Sequence, residues 1–71
     1  MAAVTYTKGD WQAEADIQPV SNGRFQGVVL IKRDSGKDAD ESEFTVDAIS
    51  NTPAEALEEA KALAHRILSD R

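Results

Sequence analysis

Only the C-terminal stretch of this chain carries the period of an α-helix, and a single helix cannot bury its own apolar stripe. Thr52-Pro53-Ala54-Glu55 is its start signal. The threonine hydroxyl can accept from an orphan N–H of the first turn, proline suits the first helical position, and Glu55 completes a capping box. From there Ala56, Leu57, Ala60, Leu63, Ala64, Ile67 and Leu68 fall on one arc, with Glu55, Glu58, Glu59, Arg66 and Ser69 outside it. Glu55 and Glu59 stand early in the helix and Arg66 and Arg71 late, in agreement with the helix dipole. The residues before Thr52 must therefore supply the surface that covers the stripe.

Those residues read as strands. Trp11, Ala13, Ala15 and Ile17 alternate with Gln12, Glu14 and Asp16, the period of two that turns one set of side chains into a core. Pro19 cannot donate to a ladder and Asn22-Gly23 tolerates positive φ, so residues 19–23 predict a reversal between antiparallel strands. The second strand, Arg24 to Lys32, sets Phe25, Gly27, Val29 and Ile31 on one face and Val28 and Leu30 on the other. Phe44, Val46 and Ala48 alternate with Thr45 and Asp47 before Ile49, which predicts a third strand. A short fourth strand over Val4 to Thr7 would place Val4 and Tyr6 on a common face.

Between the second and third strands, residues 33–43 hold Asp34, Asp38, Asp40, Glu41 and Glu43 and no large apolar side chain. Nothing there offsets the entropy of ordering, and the expectation is a mobile acidic surface loop. The expected inward set is Trp11, Ala13, Ala15, Ile17, Phe25, Val29, Ile31, Phe44, Val46, Leu57, Leu63, Ile67 and Leu68. Gly27, inside a strand, marks a bulge or the close approach of the helix or Trp11. The fold class expected is α+β: one domain spanning residues 1–71, an antiparallel sheet of three or four strands, and the C-terminal helix across one face.

A chain of 71 residues makes only a thin core, and without cysteine it has no disulfide framework and no thiolate zinc site to reinforce it. Association with a second chain is the remaining support. The 13 acidic and 8 basic side chains give a net charge of −5, which disfavours a general coating of nucleic acid. No window approaches a membrane span and Met1-Ala2-Ala3-Val4 does not begin a signal peptide, so a bacterial-type cytoplasm is the expected setting.

The side chains that could carry chemistry are few. His65 is the sole histidine, with Lys61 and Ser69 one turn away on either side and no acid placed locally to orient it. The acidic run lacks the glycine and glutamate spacing of a calcium loop, since Ala39 and Thr45 stand at the sixth and twelfth positions counted from Asp34. Gly23, Gly27 and Gly36 form no phosphate-cradling loop. No catalytic residue, metal site, cofactor or small-molecule ligand is expected. Arg24, Lys32, Arg33 and Lys37 offer a local basic spot as possible nucleic-acid contacts. Against that, Gln12, Glu14 and Asp16 on the outer sheet face would repel a phosphate backbone.

The order strand, strand, strand, helix, joined through Ser50-Asn51-Thr52-Pro53-Ala54-Glu55-Ala56-Leu57-Glu58-Glu59-Ala60, resembles the HicB-type antitoxin domain. That family leaves its third strand through a Thr or Ser turn into a Glu-Ala-rich helix, as residues 52–60 do here. The resemblance implies toxin binding at most, because the chain has no room for the separate DNA-binding segment of many such antitoxins. At the level of pattern, residues 11–70 also look like small bacterial β-β-β-α proteins.

The sequence thus points to a non-enzymatic protein-interaction module, homodimeric through its outer sheet face or a sheet edge. Val28, Leu30 and Ile49 are the expected contact residues, because they add apolar area to a face the helix does not cover. A HicB-like toxin-binding domain and a nucleic-acid-binding domain are the alternatives.

Overall fold

The computed structural model describes residues 3–35 and 38–70. Four strands, β1 (Val4–Lys8), β2 (Trp11–Val20), β3 (Arg24–Ser35) and β4 (Asp38–Ser50), precede one helix, α1 (Pro53–Ser69). Each strand pairs antiparallel with the next in the order β1-β2-β3-β4. The expected α+β fold is present, with the fourth strand forming the N-terminal edge.

Two tight turns set the first registers. Lys8 pairs with Trp11, leaving Gly9 and Asp10 as a two-residue connection, and Gly9 takes a φ of 59°. A glycine of positive φ in the first central position gives a turn whose twist matches that of the flanking strands. Asn22 and Gly23, with φ of 65° and 69°, reverse the chain between β2 and β3. This reversal is shorter than the expected 19–23, because Pro19 lies inside β2 opposite Phe25. β1 accompanies β2 only between Trp11 and Ala15. One side of β2 is therefore open at Pro19, where a residue without an N–H is tolerated.

The expected loop over residues 33–43 is instead a continuation of the sheet. β3 runs to Ser35 and β4 starts at Asp38, with Lys32 opposite Glu41 and Arg33 opposite Asp40. Apolar burial is not the only support a strand can have. Backbone pairing with β3 orders a segment that has no core residues, and the register sets opposite rather than like charges across the ladder. Gly36 and Lys37 lie outside the described residues.

β4 also departs from simple alternation. Val28 pairs with Thr45 while Gln26 pairs with Ile49, so Val46, Asp47 and Ala48 together face Gly27 in a bulge. The bulge breaks the expected alternation of Phe44, Val46 and Ala48. Val46 is buried but Ala48, inside the bulge, is exposed, while the two extra residues preserve the parity of the strand and keep Ser50, paired with Phe25, buried on the inner face. Gln26 secures the distortion by donating from its side-chain amide to the Val46 carbonyl at 2.8 Å.

The core sits between the sheet and α1. Ala13 and Ala15 of β2 lie across from Ile31 and Val29 of β3, and Ala60, Ala64 and Leu68 close over them. Tyr6, Trp11, Leu63 and Ile67 pack around this cluster, half-buried. Small side chains on both surfaces bring the layers close. A Cβ on Gly27 would lie 2.7 Å from the Ala56 carbonyl oxygen and 3.0 Å from both Ala60 Cβ and Val46 Cγ2. The glycine thus accommodates both the helix and the bulge that the sequence raised as alternatives.

Both ends of α1 are tied down. The Glu55 backbone N–H donates to Thr52 Oγ1 at 3.2 Å, and Pro53 occupies the first turn. At the far end Lys8 Nζ donates to the Leu68 carbonyl at 3.1 Å, a cation at the negative end of the helix dipole. These anchors make the helix cross the sheet diagonally. Its first half lies over Gly27 and Val46, and its second half reaches β1, where His65 meets Tyr6. Phe44, counted as core in the sequence reading, is consequently 37% exposed, since its partner Val29 is covered and β4 is left at the margin.

Candidate interaction surface

Alternation turns Val28 and Leu30 away from the helix, because their neighbours Val29 and Ile31 are the most deeply covered large side chains. The pairings then define the outer face row by row. Leu30 lies between Glu14 of β2 and Glu43 of β4, and Val28 lies between Asp16 and Thr45. Both aliphatic side chains are half-buried among these neighbours. One row further along, Gln26 stands between Gln18 and Ile49, and the Gln18 amide donates to Gln26 Oε1 at 3.2 Å. Ile49 is 43% exposed. The three expected contact residues therefore share one face, with Val28 and Leu30 side by side on β3 and Ile49 toward the C-terminal end of β4.

The surface is acidic around its aliphatic centre. Glu14, Asp16, Glu41 and Glu43 border Val28 and Leu30, with Lys32 the cation nearest to them in the rows. Carboxylates spaced in this way repel a polyanion and attract a cationic partner.

The basic spot expected from Arg24, Lys32, Arg33 and Lys37 does not assemble among the described residues. Arg24 begins β3 and Lys32 lies eight residues on, a separation of about 26 Å at the usual rise of a strand. Arg33 points to the opposite face, where its guanidinium sits 5.3 Å from the centre of the Trp11 ring. Lys37 lies outside the described residues.

His65 and Ser69, the helix side chains weighed for chemistry, make structural contacts. The His65 ring is 4.3 Å from that of Tyr6, tilted by 48°, and Ser69 Oγ donates to the His65 backbone carbonyl at 2.8 Å. Ser69 thus spends its proton within its own helix rather than on the imidazole. Among the described residues, no three His, Asp or Glu side chains converge in a way that could hold a metal ion. No described helix is long and apolar enough to cross a membrane.

Two features escaped the sequence reading. Beside the exposed Phe44, a groove of about 190 Å³ runs between β4 and α1, lined by Thr45, Val46, Asp47, Glu59, Ala62, Leu63 and Arg66. The second is the free side of β4, which ends the sheet and pairs without interruption to β3 from Asp38 to Thr45 before the bulge. The one-sign charge of residues 38–43, within the stretch expected to be a loop, is the signal for this edge that the sequence offers. Comparison of the chain with protein-family models, curated proteins and solved structures finds no match.

Proposed function

We propose that this chain is a non-enzymatic protein-interaction module whose contact surface is the outer sheet face around Val28, Leu30 and Ile49, continuing to the free edge of β4. The observation that supports it is the one-sided cover of the sheet. α1 occupies the inner face, while the outer face keeps a half-buried aliphatic pair and an exposed isoleucine. A thin two-layer domain gains most from covering such a face, since apolar area removed from water contributes about 25 cal/mol per Å². The proposal sets the module in the cytoplasm, with a protein partner that a second copy of the chain can supply. Toxin binding of the HicB kind is the special case in which that partner is a toxin.

The test is affinity capture from the source cell with the wild-type chain and with the Leu30→Gln/Ile49→Asp variant, combined with sedimentation equilibrium of each. The expected result is a polypeptide, the chain itself included, that associates with wild type and is lost from the variant while the variant's thermal midpoint stays within a few degrees. A strict monomer that retains the same proteins with and without the substitutions refutes the proposal.

A further inference from the structure

We infer that the free edge of β4 over residues 40–45 is an addition site for an extended, lysine- or arginine-bearing segment of a different protein, which pairs with it as a fifth strand. The inference rests on the interaction-module reading and names the partner's chemistry.

Three independent observations converge on this edge. The first is its backbone. β4 ends the sheet, and from Asp38 to Thr45 its register with β3 is regular, so its other side presents a flat row of peptide groups without a neighbouring strand among the described residues. Backbone pairing along such an edge supplies affinity and the alternating side chains supply selection. The bulge at Val46 to Ala48 ends this flat stretch of eight residues, of which 40–45, about 20 Å of strand, form the proposed site.

The second is charge. From Asp38 to Asp47 the sequence holds five carboxylates and no lysine or arginine. Lys32 and Arg33 lie across from Glu41 and Asp40 on the β3 side, whereas Glu43 has Leu30 as its neighbour there. At this edge, as distinct from the outer sheet face, a second copy is a poor occupant. An antiparallel copy centred on Ser42 sets Glu41 against Glu43 twice, and like charges directly opposite destabilise a strand pair. The net charge of −5 adds a general repulsion between copies and a general attraction for a cationic chain.

The third is the exposed ring of Phe44. It lies on the inner face at the margin that the diagonal helix leaves open, one residue before Thr45, where the groove between β4 and α1 begins. A strand added to β4 would place alternate side chains beside Phe44 and the others beside Glu41 and Glu43. The matching segment therefore alternates apolar residues, facing Phe44, with cations, facing the two glutamates.

The probe is a synthetic eight-residue peptide of alternating lysine and valine, set against its glutamate–valine counterpart. Binding to the full chain is followed by NMR titration and amide hydrogen exchange. The expected result is slowed exchange at alternate amides within residues 40–45 with the cationic peptide only. Glu41→Lys/Glu43→Lys is expected to weaken binding at least tenfold, roughly the loss from reversing a pair of interfacial charges. Phe44→Ser, checked for folding by circular dichroism, is expected to weaken it as well. Equal binding of both peptides, no binding of either, or shifts confined to Val28 and Leu30 without protection of β4 overturns the edge assignment. Protection of β4 that grows with protein concentration in the absence of peptide overturns it in favour of self-pairing. Because partner capture by the wild-type chain is measured separately, failure of the edge leaves the module reading standing, and loss of capture removes both.

Discussion

Replacing Gly27 by alanine probes the close approach of α1 to the sheet. An added Cβ would stand 2.7 Å from the Ala56 carbonyl oxygen and 3.0 Å from Ala60 Cβ and Val46 Cγ2. Restoring an ordinary carbon–oxygen separation of about 3.3 Å requires the first turns of α1 to retreat by roughly 0.6 Å. The nearest atom belongs to the backbone, so no rotamer change relieves it. Inserting one carbon into a packed interface costs about 1–3 kcal/mol. Alanine also restricts the unfolded chain, which returns about 0.4–1 kcal/mol. The net expectation is a loss of about 1–2 kcal/mol, and in a domain of this size each kcal/mol lowers the melting midpoint by about 4–8 °C. Far-UV circular dichroism during thermal and urea unfolding of Gly27→Ala measures it. Adding Ala60→Gly removes one of the three contacts but leaves the carbonyl in place, and it costs about 1 kcal/mol in helix propensity, so it is expected not to rescue. A Gly27→Ala variant as stable as wild type, or full rescue by Ala60→Gly, would refute the argument that backbone approach makes glycine necessary here.

Two further substitutions examine the devices that hold the bulge and the helix end. Gln26→Ala removes the bond to the Val46 carbonyl and is expected to cost about 1–2 kcal/mol in urea denaturation. Gln18→Ala, which loses only the exposed Gln18–Gln26 bond, is expected to cost less than half as much. Lys8→Met keeps the apolar stem but removes the donor to the Leu68 carbonyl, with an expected loss of about 0.5–1 kcal/mol. Hydrogen exchange should accelerate in the last turn of α1 and stay unchanged in the β2–β3 ladder; uniform acceleration would show that Lys8 does not act locally.

Much of the secondary structure was legible because it follows from local chemistry. Thr52 and Pro53 start α1 through a hydroxyl acceptor and a fixed φ, and the Asn22-Gly23 turn needs only the backbone freedom of those two residues. Alternation assigned Ala13, Ala15, Val29 and Ile31 to one face before any partner was known. The Gly9-Asp10 connection was equally local and would have secured β1, had the glycine been read as the first residue of a tight turn. The stretch around Asp38 to Glu43 was misread because its support comes from another strand. A count of its own apolar residues says nothing of Lys32 opposite Glu41.

The candidate surface divides along the same line. That Val28 and Leu30 turn away from the core was determined by the sequence alone, since side chains alternate along any extended strand. Which carboxylates surround them was decided by register, and register depends on turn lengths and on a bulge located opposite Gly27. The exposure of Phe44 was decided later still, by the diagonal path of α1 from Gly27 to Lys8. Local preferences act over a few neighbouring residues and can be read from them. The angle at which a helix crosses a sheet depends on how closely both surfaces approach along their whole length, and only the folded chain brings those surfaces together.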